Sequence, residues 1–159
     1  MLRFYTERQF EPGMAANKKL DRGRNAFQQE RWKDAYANLS AADQETALEP
    51  VDLESLAVAA YLIGKYAEYG EIWARAHNAY LNSGRVACAV RCAFWLGFTL
   101  MNKGERARGS GWIARAQRLL CEEEPDGVEQ GFLLLPVALK YLSEGDTGEA
   151  FLNFQRAEK

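Results

Sequence analysis

The feature that most constrains this chain is a recurrence. Around Glu30, Gly64, Gly104 and Gly145, positions 34, 40 and 41 residues apart, the same alternation of small and large residues returns. Seven positions before each stands a small residue, Gly23, Ala57, Gly97 or Ala138, and twelve positions after each stands an alanine, Ala42, Ala76, Ala116 or Ala157. Large apolar residues fall between, such as Leu96 and Leu100 ahead of Gly104 and Ile113 behind it. Two backbones approach closely only where the side chains between them are small, so a turn flanked by small residues at helical spacing predicts two crossing helices. Self-similarity at such a period is the mark of a helical repeat array. The copy around Glu30 is the weakest, with Arg22 and Ala26 where the third copy has Leu96 and Leu100.

These columns resemble the tetratricopeptide (TPR) family, whose signature is this alternation around a short turn, and the resemblance covers nearly all of the chain after Asn17. Tyr69 departs from it, being bulky where the family prefers alanine, and two of the spacings exceed the family's repeat length. The runs Leu53–Gly84 and Cys92–Leu120 are similar, more narrowly, to the TPR-type region of large bacterial LuxR-type transcriptional regulators. The fold implied is all-α, a right-handed TPR-like α-solenoid of about four antiparallel helix hairpins, at about 14–46, 50–83, 86–122 and 127–159. In the LuxR-type family the DNA-binding domain lies at the far C-terminus, and nothing in this sequence matches it.

Local signals agree with paired helices. The pattern predicts helices over about Met14–Gln29, Trp32–Glu45, Pro50–Ile63, Tyr66–Asn82, Val86–Lys103 and Arg106–Glu122, with two more before and after Gly145. Pro50 suits a first helical turn, where its missing N–H costs nothing, and Gly84 suits the left-handed residue just past a helix end. Asp126 with Glu129, and Asp146 with Glu149, read as capping boxes. Met14 follows a Pro-Gly break, so residues 1–13 read as a poorly ordered arm or a vector-derived leader, two alternatives the sequence leaves open. The last helix stops at Lys159 with its apolar pattern still running, and no polar capping element follows. Repeat arrays need one, so the chain is expected to be an N-terminal piece of a longer protein.

Composition excludes several classes. With 159 residues, 48% hydrophobic and 26% charged, the chain can bury a core, and a net charge of −2 supplies no global field toward nucleic acid or membrane. Arg85, Arg91, Lys103, Arg106, Arg108, Arg115 and Arg118 nonetheless gather between Gly84 and Arg118 against one acid, Glu105. A solvated helix face, or contact with a neighbouring acidic segment, is preferred over a phosphate-binding surface. No run of eighteen apolar residues and no secretion signal is present, and three cysteines point to reduced thiols, so the expected compartment is the cytoplasm.

No catalytic set emerges, so the chain is expected not to be an enzyme and to need no cofactor or metal. The single histidine, His77, reads as structural, and Cys88 and Cys92, in a stripe with Trp95 and Thr99, read as small buried hydrophobes. The glycines of GERARGSG match neither phosphate-binding loop pattern and read as helix-packing positions.

What remains is surface. In the TPR family the first helix of each repeat lines a concave groove. Carried onto this sequence, that implies Glu54, Val58 and Tyr61 in the second repeat, Arg91, Phe94, Phe98, Met101 and Asn102 in the third, and Phe132, Leu135 and Leu139 in the fourth. Such an apolar, aromatic groove fits a protein or peptide partner, an apolar small ligand, a second copy in a homodimer, or a later part of the same polypeptide. The family's lysine–asparagine clamp for a C-terminal carboxylate is absent, with Leu20 and Arg24 at its positions. Neither a membrane nor direct nucleic-acid binding is expected, because most arginines fall on second helices, which face outward in the family.

Overall fold

Short turns of one design join most of the helices. The computed structural model describes residues 12–122 and 128–157, all of them helix or connecting turn: α1 Pro12–Gln28, α2 Trp32–Glu45, α3 Pro50–Leu62, α4 Tyr66–Asn82, α5 Val86–Asn102, α6 Arg106–Glu122, α7 Val128–Glu144 and α8 Thr147–Ala157. Residues 1–11 and the expected cap at Asp126 lie outside the described residues. Helix α1 begins at Pro12, ahead of the expected Met14, because proline at a first helical position has no N–H that needed a partner. No helix among the described residues is long and apolar enough to cross a membrane.

The turns account for the recurrence around Glu30, Gly64, Gly104 and Gly145. Glu30, Gly64, Gly104 and Gly145 all have left-handed backbone, with φ of 58°, 82°, 83° and 84°, and Gly84, between α4 and α5, has 71°. At Gly64 the N–H of Gly64 donates to the Tyr61 carbonyl at 3.0 Å and that of Lys65 to the Ala60 carbonyl at 2.8 Å. This pair of bonds closes a Schellman motif, satisfying carbonyls that the helix end leaves orphaned. The same two bonds recur after Glu30, Gly84, Gly104 and Gly145. Into α8 one half of the expected capping box is present, the Glu149 N–H donating to Asp146 Oδ1 at 3.0 Å, while the Asp146 N–H donates to the Tyr141 carbonyl at 2.9 Å.

The chain forms two compact units, one through Tyr69 and one from Gly70 on, and α4 begins in the first and ends in the second. In the first unit, α1 and α2 form a hairpin and α3 packs against both. Gly23 lets α1 and α2 close: a Cβ there would meet Leu39 Cγ at 2.7 Å and the Leu39 backbone nitrogen at 3.1 Å. Ala26, Ala35 and Ala59, one from each helix, make the buried centre, with Phe27 and Tyr36 around it. Tyr69 is accommodated rather than disruptive, buried with its ring 5.3 Å from that of Tyr61.

The second unit is built around α5, which packs against α6 and α7, while α7 packs against α6 and pairs with α8. The α5–α6 crossing is set by two glycines: a Cβ on Gly97 would lie 2.9 Å from the Gly109 carbonyl oxygen, and one on Gly109 would lie 2.7 Å from that of Gly97. Val90, Ala93, Phe94, Ile113 and Ala116 form the core, with Phe98, Met101 and Leu135 packed at its edge. In α7–α8 the close approach is at Gly131, where a Cβ would come within 2.5 Å of the Ala157 carbonyl. Ala157 itself is only half-buried, so the fourth member of the alanine column contributes less than Ala42, Ala76 and Ala116. Helix α7 runs unbroken through Pro136.

Candidate functional site

The expected groove residues fall on both units and are described unit by unit. In the first, Glu54 and Val58 are half-buried on α3 and Tyr61 is 45% exposed near its end. The Tyr61 ring also meets Tyr66 edge-on, with centroids 5.5 Å apart, so this is a rigid aromatic corner at the Gly64 turn. Lys65 lies over the Tyr36 ring and pairs with Glu68 at 2.7 Å, while the Tyr36 hydroxyl donates to Glu68.

In the second unit, α5 and α7 bring together Phe94, Phe98, Met101 and Leu135 around one cluster. Phe94 departs from the expectation of a groove surface: it is 1% exposed and belongs to the core. The reason is that α5 is apolar on almost every side, and with α6 and α7 both packed against it little of its surface is left over. Phe98 stacks on Phe94 at 5.7 Å with the planes 16° apart, and it, Met101 and Leu135 are half-buried. Asn102 is exposed, Arg91 half-buried and Leu139 41% exposed. The side chain of Phe132 lies outside the described residues. What results is a shallow apolar strip with Phe94 as its floor.

Trp95, which the sequence placed with the thiols, joins this strip. It is 38% exposed, with its ring 5.2 Å from Phe94 and 6.4 Å from Phe98. A half-exposed tryptophan on a buried aromatic floor is the kind of side chain that anchors interfaces. The helical step from Phe94 to Phe98 passes through it, a signal that residue type alone could have supplied.

The histidine and the two described cysteines lie inside or at the edge of the second unit's packing. His77 on α4 is fully buried, and its Nδ1–H donates to the Ala89 carbonyl at 2.7 Å, which fixes the tautomer because a carbonyl can only accept. Its Nε2 has no hydrogen-bond partner among the described residues, and its ring stands edge-on to Trp112 at 5.3 Å. Burial pushes the His77 pKa down, the Ala89 bond acts against that, and Arg115, itself over the Trp112 ring, lowers it further. Cys92 is buried and Cys88 half-buried. Among the described residues no three His, Cys, Asp or Glu side chains gather where they could hold a metal ion.

One polar pair escaped the sequence reading. Arg24 on α1 donates twice to Asp52 on α3, Nε to Oδ1 and Nη2 to Oδ2, both at 2.8 Å. The Asp52 side chain is only 3% exposed, and its bond holds the Arg24 pKa above the usual arginine value. Asp52 stands in the first turn of α3, where an acidic side chain favours the helix start. It is also the clasp between α1 and α3.

No known protein-family model matches this chain, and no curated protein matches it either.

Proposed function

We propose that the chain is a TPR-like array of helical hairpins that works as a non-enzymatic interaction or ligand-sensing module. The observation that carries this reading is the coincidence of five left-handed turns closed by the same pair of hydrogen bonds with close helix crossings at the recurring small residues Gly23 and Gly97. Packing within each unit supports it. A following hairpin's first helix lies against both helices of the hairpin before it, α3 on α1 and α2, α7 on α5 and α6. That rule stacks hairpins into a solenoid. The narrower assignment, the regulatory part of a LuxR-type transcriptional regulator, rests on the resemblance of Leu53–Gly84 and Cys92–Leu120.

The binding surface in this reading is the strip of Trp95, Phe98, Met101, Leu135 and Leu139, which fits one face of an amphipathic helix or an apolar small ligand. Titration with 8-anilinonaphthalene-1-sulfonate, an apolar anion, tests it. The expected result is saturable binding, weakened about tenfold by Phe98→Ala or Leu139→Ala, equivalent to roughly 1.4 kcal/mol. Thermal melts should fall much further for Leu100→Ala, which removes a side chain only 7% exposed, than for either of these. Dye binding that ignores both strip substitutions would refute the assignment.

A further inference from the structure

The outer face of α8 carries three exposed large apolar side chains within four residues. Phe151 is 62% exposed, Leu152 45% and Phe154 37%, while Ala150 and Asn153 turn inward. Leu152 lies between Glu149 and Arg156 at helical spacings of three and four, so the three share one side of the helix. Both charges are exposed, and neither takes part in an ion pair among the described residues. The order acid, apolar, base along one side is complementary to itself when reversed.

We propose that a second copy of this chain docks on this face, α8 against α8, antiparallel about a two-fold axis over the middle of the helix. With the axis between Leu152 and Asn153, Glu149 of each copy stands opposite Arg156 of the other, and Phe151 stands opposite Phe154 of the other. A parallel pairing would set glutamate against glutamate. A two-fold contact requires a self-complementary patch, and this charge order supplies one. The three apolar side chains expose on the order of 300 Å² per copy. That is well under the roughly 800 Å² per partner of a standard interface, so the dimer is weak and forms only at high protein concentration. This surface is separate from the strip on α5 and α7, and Phe98→Ala leaves it intact.

Sedimentation velocity on the whole chain from about 5 to 500 µM tests the proposal, a range that reaches the high concentrations a weak, small interface needs. The expected result is a reversible monomer–dimer equilibrium. Glu149→Arg and Arg156→Glu should each weaken it at least about tenfold, by setting like charges opposite one another, and the double swap should restore it to within about threefold. A monomer at every concentration, or association that ignores the single swaps, would overturn the proposal. Circular-dichroism melts accompany each variant. If a charge variant melts below the parent, Phe151→Ser decides instead, because it leaves the Asp146 cap and both charges in place: a dimer that persists in Phe151→Ser overturns the proposal, and one that is lost supports it.

Discussion

Two glycines on α6 undergo the same chemical change with opposite expected outcomes. Gly109 and Gly111 are half a helical turn apart. A Cβ on Gly111 meets nothing within 4 Å, whereas one on Gly109 would lie 2.7 Å from the Gly97 carbonyl oxygen, 2.9 Å from the Met101 backbone nitrogen, and closer still to Met101 Cγ. Alanine is favoured over glycine inside a helix by about 1 kcal/mol, so Gly111→Ala should stabilise by about 0.5–1 kcal/mol. Gly109→Ala receives the same benefit, but two of its clashes are with backbone, which no rotamer change relieves. Helices α5 and α6 would have to separate by several tenths of an ångström, loosening the contact of Ile113 and Ala116 with α5. Overpacking of this kind costs about 1–3 kcal/mol, which leaves a net loss of up to about 2 kcal/mol. For a domain of this size each kcal/mol moves Tm by roughly 2–4 °C, so the separation of about 0.5–3 kcal/mol between the two variants should appear as about 1–12 °C, with Gly111→Ala above the parent and Gly109→Ala below it. Differential scanning calorimetry on the three proteins reads this directly. If both variants move Tm in the same direction, the α5–α6 crossing is not where the glycines place it.

The remaining predictions concern single side chains. Glu30 is the only described non-glycine residue with left-handed backbone, so Glu30→Gly should raise stability by about 0.5–1 kcal/mol in urea melts, against a left-handed cost of about 1–2 kcal/mol; an unchanged midpoint would refute that turn. Arg24→Ala leaves the buried Asp52 carboxylate without its bidentate partner and should cost about 1–3 kcal/mol, kept below the range for a fully buried pair because Arg24 is half-exposed; a double-mutant cycle with Asp52→Ala measures the coupling. His77 is held neutral, with its folded pKa below the ordinary 6.5, so the unfolded chain takes up this proton first as pH falls. Stability should therefore be level above about pH 6.5 and decline below it until the folded pKa is reached, a decline that His77→Phe removes; parallel slopes from pH 7 to 5 would show that His77 is not the group responsible.

The hairpin periodicity was legible because backbone geometry demands particular residues. A left-handed turn favours glycine and a close crossing excludes a Cβ, so Gly64, Gly97, Gly104 and Gly145 announce themselves whatever surrounds them. Even Glu30 was found, since its neighbours Gly23, Ala35 and Ala42 hold the register. Which apolar faces stay open was much less legible. Phe94, Phe98 and Met101 have the same helical spacing whether water, a ligand or α7 lies beyond them, and the packing of α6 and α7 on α5, which buries Phe94, leaves no mark in that spacing. The Arg24–Asp52 clasp was hidden for a related reason: residues 28 positions apart on different helices leave no periodic trace.

This difference bears on where binding energy would come from. Because Phe94 is floor rather than surface, an occupant of the strip cannot insert a side chain between α5 and α7 without displacing the stacked pair of Phe94 and Phe98. It must instead lie across Trp95, Phe98 and Leu139. A shallow contact of that kind gains most from rigid aromatic area, and Trp95 provides it at little entropic cost, being braced against both phenylalanines. A long apolar probe that needs a deep slot should therefore bind this chain less well than a flat aromatic one.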